Sequence, residues 1–165
     1  ATPAHFLELG GNVSVNNDHF VRYTEHQMDW DAWQTVSLPR DGNRIAGFPT
    51  MLANAHARVT HGGWSLGAAW RYVGRQYLDN AENTANSIAP YHVTDVSLGY
   101  RIEKRFGLKG MEVRLSVNNL FDRLYEASGY VDDVYAVASQ NAIYATPYFI
   151  PAAPRNAFLS IQWEL

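Results

Sequence analysis

The sequence predicts an all-β fold, an antiparallel up-and-down meander that crosses a membrane on strands rather than helices. Three observations predict it. Apolar residues recur with period two in six separate runs. Every charge inside those runs falls on the face opposite the apolar one: Glu8, Arg58, Arg71, Asp95, Arg101, Glu112, Arg114 and Glu164. The connections between runs alternate short and long, so in a meander all the short ones lie at one end and all the long ones at the other.

The first run, 6–16, places Leu7, Leu9, Gly11, Val13 and Val15 on one face and Glu8, Asn12, Ser14 and Asn16 on the other. The second, 51–60, sets Met51, Ala53, Ala55, Ala57 and Val59 against Leu52, Asn54, His56, Arg58 and Thr60. His61-Gly62-Gly63 then reads as a tight hairpin turn. The third, 64–75, sets Trp64, Leu66, Ala68, Trp70 and Tyr72 against Ser65, Gly67, Ala69, Arg71, Val73 and Arg75. The fourth, 93–102, places Val96, Leu98, Tyr100 and Ile102 opposite Asp95, Ser97 and Arg101; the fifth, 111–118, places Met111, Val113, Leu115 and Val117 opposite Glu112, Arg114 and Ser116. The sixth, 158–165, sets Leu159, Ile161, Trp163 and Leu165 against Ser160, Gln162 and Glu164. Val, Thr, Tyr and Gly at a spacing of two argue against helices throughout. The long connections are 19–50, 76–92 and 122–157, with room in the last for a further hairpin near 130–138.

Composition narrows the function classes. With 47% apolar and 18% charged residues in 165, the chain is not a disordered tail. A net charge of −3 gives no support for nucleic-acid binding. The absence of cysteine removes disulfide scaffolds and thiolate metal sites. No apolar run approaches the ~20 residues of a membrane helix, a test that membrane β-strands escape because they alternate. Lipocalin-type barrels also alternate, with the apolar face inward. Mixed-sign charges on the polar face and aromatics near strand ends favour lipid on the apolar side instead. Trp64 and Tyr72 stand roughly 26 Å apart along a strand, at about 3.3 Å per residue, which a tilted strand projects onto an apolar band about 25 Å tall. Trp64, Tyr72 and Trp163 are the expected membrane-interface aromatics, and Arg58, Arg71, Arg101, Glu112 and Arg114 the expected lumen-facing wall.

Four stretches carry a family resemblance. Val113-Arg114-Leu115-Ser116-Val117-Asn118-Asn119-Leu120-Phe121-Asp122-Arg123-Leu124-Tyr125 resembles the V-x-N-L-F-D-x-x-Y signature of TonB-dependent outer-membrane receptors. Trp70 to Tyr77, with Asp79-Asn80 after it, resembles the family's Y-V-G-x-x-Y-x-D-N strand. Gly42-Asn43-Arg44-Ile45-Ala46-Gly47-Phe48-Pro49 is similar to its G-N-x-l-x-x-x-P strand entry, and Ile150-Pro151-Ala152-Ala153-Pro154-Arg155 to its P-x-x-P-R approach to the last strand. The four occur in the family's order. The resemblance implies that residues 1–165 are the C-terminal six strands of a 22-stranded outer-membrane barrel, with the plug and earlier strands outside this sequence. It implies active uptake of a scarce nutrient, most commonly a ferric siderophore, with cobalamin, haem and glycans as the other classes, driven by the TonB complex through that plug, in the outer membrane of a Gram-negative bacterium. Family members usually end in Phe or Trp, whereas this sequence ends in Leu165 with Trp163 two residues before. The start, Ala-Thr-Pro-Ala-His-Phe, has no initiator Met, basic segment or apolar segment, consistent with a processed chain or a portion of a longer one.

No phosphate loop, zinc motif or nucleophile elbow occurs, so neither catalysis nor a cofactor is expected. The six histidines (5, 19, 26, 56, 61 and 92) have no strong metal-ligand spacing, and no metal site is expected. His56 reads as a solvated wall residue and Asp132-Asp133 as a solvated acidic turn. Trp30 and Trp33, set among Asp29 and Asp31 in the first long loop, are candidates to stack on a ligand or simply on their own loop. Arg75 near the mouth, followed by Tyr77, is a candidate for an anionic iron chelate or for an ion pair with a neighbouring strand. Asn118, Asn119 and Asp122 are expected to end the strand by bonding backbone groups. Two other readings are a small complete outer-membrane barrel with an adhesive or structural role and a soluble lipocalin-like binder.

Overall fold

The computed structural model describes residues 5–103 and 110–164. Twelve strands run β1 (His5–Val15), β2 (Thr24–Asp29), β3 (Gln34–Pro39), β4 (Met51–His61), β5 (Trp64–Val73), β6 (Gln76–Tyr77), β7 (Ser87–Ile88), β8 (Tyr91–Glu103), β9 (Gly110–Asn118), β10 (Glu126–Val137), β11 (Ala142–Pro151) and β12 (Asn156–Glu164). The six runs of alternation become one antiparallel sheet ordered β1-β4-β5-β8-β9-β12. The other six strands form three separate two-stranded hairpins, one within each long connection. The hairpin anticipated near 130–138 exists, but it adds no strand to the main sheet.

Register converts the alternation into two continuous surfaces. One row of directly opposed residues crosses all six strands as Leu7, Val59, Leu66, Leu98, Leu115 and Leu159. The row one residue along is Glu8, Arg58, Gly67, Ser97, Ser116 and Phe158. A slip of one residue in any pair would put a charge among the leucines, so the pattern itself fixes the register. On the apolar side Leu7, Leu9, Leu66, Leu159 and Trp163 are all more than half exposed. An apolar surface of that extent is not left to water.

The two-residue turn between β4 and β5 consists of Gly62 and Gly63, at φ 54° and 90°. Two successive positive φ angles are what a hairpin with the sheet's own twist needs. A side chain at Gly63 would also collide with the carbonyl of Arg101, 2.9 Å from the position of its Cβ. The expected short connection between β8 and β9, residues 104–109, lies outside the described residues, as does Leu165.

The expected polar face is polar only over part of its height. Near the long-connection end it carries Leu52, Val73, Tyr91 and Val93, and here the chain builds its buried core, closed by Ile88, Leu78 and Tyr125 from the loops. The loops therefore fold over the charged side of the sheet, and the apolar side stays uncovered among the described residues.

Candidate ligand-capture surface

The family-like motifs turn out to be braces. At the end of β9 the chain turns at Asn119 and Asp122, with φ 51° and 52°. Asn119 is 4% exposed. Its Oδ1 accepts the N–H of Arg123 at 2.9 Å, and its Nδ2 donates to the carbonyls of Arg123 at 2.9 Å and Ala153 at 3.4 Å. Its own N–H donates to Oδ1 of Asp95 on β8 at 2.8 Å. Asp122 Oδ1 accepts the N–H of Arg155 at 2.8 Å, and Asn118 donates to Asn156 across the strand pair at 3.0 Å. The signature thus clamps the exit of β9 to the entry of β12. Asn119 and Asp122 bond backbone groups, as expected of their residue types, whereas Asn118 bonds the side chain of Asn156.

A second clamp joins the two upstream motifs. Asn80 accepts the N–H of Ala46 at 3.0 Å on its Oδ1, and its carbonyl accepts Asn43 Nδ2 at 2.8 Å. Gly47 N–H donates to the carbonyl of Tyr77 at 2.9 Å, and Glu82 accepts the N–H of Arg44 at 2.9 Å. Asp79 accepts the N–H of Ala81 at 3.0 Å and Nδ2 of Asn86 at 2.6 Å. Gly74 lies where backbone meets backbone: a Cβ there would sit 2.9 Å from the nitrogen of Met51.

Above these clamps the loops form one assembly. Asp29, 8% exposed at the end of β2, accepts the N–H of Ala138 at 2.7 Å and that of Ala32 at 3.0 Å. Those amide donors, Ala138 foremost, hold its carboxyl below the usual carboxylate pKa. Gln27 donates to the carbonyl of Val134 at 3.0 Å, and Asn86 donates to that of Ala145 at 3.4 Å. The β10–β11 hairpin is therefore tied to both other loops.

Trp30 and Trp33 stand at the turn of the β2–β3 hairpin, 66% and 75% exposed, packed edge to face at 6.0 Å. Trp33 takes a left-handed φ of 53°. Arg75 lies beyond the end of β5 rather than on it, because the strand stops at Val73. Its guanidinium donates to Ser87 Oγ at 2.6 Å, so the partner is a hydroxyl rather than the carboxylate of an ion pair. Tyr77, half-buried, pairs with Ser87 in β6–β7. No hydrogen bond or ring contact among the described residues joins the Trp pair to Arg75 or Tyr77.

One group was not singled out from the sequence: Tyr130, Tyr135, Tyr144 and Tyr148 on β10–β11. They form two stacked pairs, Tyr130 on Tyr148 and Tyr135 on Tyr144, each with ring centroids 5.4 Å apart. All four are between 41% and 53% exposed. Tyr130 and Tyr135 are five apart, an odd spacing that places them on opposite faces of a regular strand. A bulge between Asp132 and Tyr135, with Asp133 at φ 49°, returns them to the same face. Tyr148 donates to Asp133 at 2.7 Å, and that carboxylate raises the phenol pKa. The Tyr144, Thr146, Tyr148 alternation was the available signal.

Arg58, Arg71, Arg101, Glu112 and Arg114 share the charged face of the sheet with Asp95. Arg114 Nε donates to Glu112 at 3.1 Å. Arg58, Thr60, Arg101, Glu112 and Arg114 line a cleft of about 470 Å³ toward the short-turn end. His56 faces Glu8 at 3.6 Å on the same side. Of the expected interface aromatics, Trp64 packs against Tyr100 with centroids 4.6 Å apart, and Tyr72 stacks with Trp70 at 6.3 Å. Trp163 stands opposite Met111.

A six-stranded antiparallel meander, apolar and uncovered among the described residues on one side, charged on the other and hooded by loops at one end, has the pattern of a membrane β-barrel wall. The chain belongs to the family described as "TonB dependent receptor-like, beta-barrel", whose profile matches residues 7–120. Among curated proteins similar to it are the "Ferrichrome outer membrane transporter/phage receptor" of Escherichia coli (strain K12), 37% identical over 71% of this chain, and the "Ferrioxamine receptor" of Yersinia enterocolitica, 32% identical over 85%. The matches cover 15% and 19% of those two relatives, so the chain spans under a fifth of their length.

Proposed function

We propose that residues 1–165 are the C-terminal portion of a 22-stranded barrel in the bacterial outer membrane, within a receptor that takes up a ferric siderophore at the expense of the TonB complex. The observation that carries this reading is the juxtaposition of a six-stranded leucine row, uncovered among the described residues, with a built loop assembly at the long-connection end. Outer-membrane lipid covers the leucine row. The outer edges of β1 and β12 pair with further strands of the barrel, since an open edge in hydrocarbon leaves backbone groups unsatisfied at several kcal/mol each. TonB acts through a plug housed against the charged face.

The loops capture the ligand. Trp30 and Trp33 offer rigid aromatic faces at a hairpin tip, and Arg75 with Tyr77 offers a cation and a phenol at the mouth. The chain supplies binding groups and a wall and carries out no covalent step. The names of the relatives support ferrichrome or ferrioxamine as the ligands to try first.

The test is uptake of radioiron-loaded ferrichrome and ferrioxamine by cells whose only siderophore receptor is the full-length protein. The expected result is saturable uptake of at least one, abolished in cells lacking TonB. Uptake of both at the level of receptor-less cells, or uptake indifferent to TonB, overturns the reading.

A further inference from the structure

A second site lies at the opposite end of the sheet from the loops. His5, on β1, and His61, on β4, are directly opposed in the strand register. Their rings stand 4.5 Å apart between centroids, and the two Nδ1 atoms are 2.7 Å apart. Both side chains are exposed. They belong to the apolar row that continues through Trp64 and Tyr100, and they close it at the short-turn end, beside Gly62-Gly63. The pair is therefore placed where the aromatic belt gives way to water.

Two imidazole nitrogens cannot approach to 2.7 Å with a proton on each. One Nδ1 donates and the other accepts, so a single proton lies between them. A late transition-metal ion held by the same two atoms lies off the line that joins them, at a point both Nδ1 lone pairs can face once that proton has moved. At metal–nitrogen distances of about 2.0–2.1 Å and a ligand angle near 90°, two cis nitrogens stand about 2.9 Å apart. Rotation of both rings away from their hydrogen-bonded alignment turns the two lone pairs toward that ion. The donor ring needs only to move its proton from Nδ1 to Nε2, so both ligands bind as neutral imidazoles without loss of a proton. The partner strands hold the two Cβ atoms at cross-strand spacing before any metal arrives, which removes most of the ordering cost of chelation.

We infer that His5 and His61 form a two-imidazole site for a divalent late transition ion at the short-turn rim of the barrel. Imidazole ligands select Cu²⁺, Ni²⁺ and Zn²⁺ over Ca²⁺ and Mg²⁺, and Cu²⁺ binds tightest of the series. Among the described residues no group of three or more His, Asp and Glu gathers at one point, so water completes the coordination. The site is independent of the siderophore reading: it uses neither the loops nor the charged face.

The experiment uses the full-length protein in detergent micelles, stripped with a chelator and titrated with Cu²⁺. The wild type is expected to bind one ion with nitrogen hyperfine coupling from two imidazoles in its electron paramagnetic resonance spectrum. His5→Gln and His61→Gln are each expected to weaken that binding about tenfold or more, as loss of one arm of a chelate does, and to leave one coupled nitrogen. A second measurement needs no variant. Zn²⁺ is expected to protect both His5 and His61 from diethyl pyrocarbonate in the wild type, and Mg²⁺ to protect neither. Equal Cu²⁺ affinity and spectra in wild type and variants, or modification of the two histidines unaffected by Zn²⁺, overturns the inference.

Discussion

Asn119 is the residue on which the most local geometry turns. It adopts a left-handed φ and satisfies the backbone of Arg123 on both its donor and acceptor sides. Asn119→Ala removes those bonds within a buried turn and leaves a Cβ at positive φ. The expected cost is of order 2–4 kcal/mol. Asn119→Gly should cost about 1 kcal/mol less, because it keeps the turn's conformation while losing the bonds. Thermal unfolding of the two full-length variants in detergent checks the order. Asp29 offers a pH test at the same scale. Its folded pKa is depressed, so its contribution is complete above the ordinary carboxylate value and is lost as the pH falls through the folded value. Hydrogen exchange at the Ala138 amide is expected to be slow at neutral pH, to quicken relative to its intrinsic rate on acidification, and to be quick at both in Asp29→Ala.

At the scale of the element, the two faces of β9 make opposite predictions for one substitution. Leu115 stands in the leucine row and Ser116 in the polar row beside it. Arg at a lipid-facing midplane position costs about 2–4 kcal/mol, whereas the lumen side solvates it. Leu115→Arg should therefore sharply reduce the folded, heat-modifiable form of the full-length protein in the outer membrane, and Ser116→Arg should leave it near normal. Equal yields from both would place lipid on the wrong face. At the β5 exit, Gly74→Ala forces a Cβ toward the backbone nitrogen of Met51. A loss of about 1–3 kcal/mol is expected from that overpacking, read by thermal unfolding.

For the whole molecule, the loops and the sheet are separable in function. The β10–β11 hairpin makes no strand pairing with the main sheet, yet it bonds to both other loops through Val134, Ala138 and Ala145. Replacing residues 128–149 by an Asn-Gly turn should let the full-length protein reach the membrane in near-normal amount. Ligand affinity should fall at least tenfold, because the assembly that holds the Trp30–Trp33 hairpin loses its central member. Surface yield and equilibrium binding of ferric siderophore, measured together, separate the two effects.

The main sheet was legible in the sequence because its information is strictly local. A period of two, with charges confined to one parity, fixes six strands and their faces, and excludes any register shifted by one residue. Arg or Lys at a lipid-facing midplane position costs about 2–4 kcal/mol, which keeps charges off that parity. The family-like motifs were legible as strings, but their work was not: Asn80 bonds Ala46, and Asn119 reaches Ala153, across more than thirty residues each. The loops followed no parity rule. The tyrosine face of β10–β11 depends on one left-handed residue, Asp133, that resets the alternation, and beyond Val73 the chain leaves the β5 register at Gly74 while still bonding Met51 and Thr50. The apolar patch on the charged face made sense only once Ile88 and Leu78 folded onto it. The histidines showed no metal spacing along the chain because His5 and His61 meet only across a strand pair. The sequence by itself determined what the membrane dictates residue by residue. Tertiary structure alone decided what depends on chain-distant partners, since a hydrogen bond or a shared ligand leaves no period in the chain.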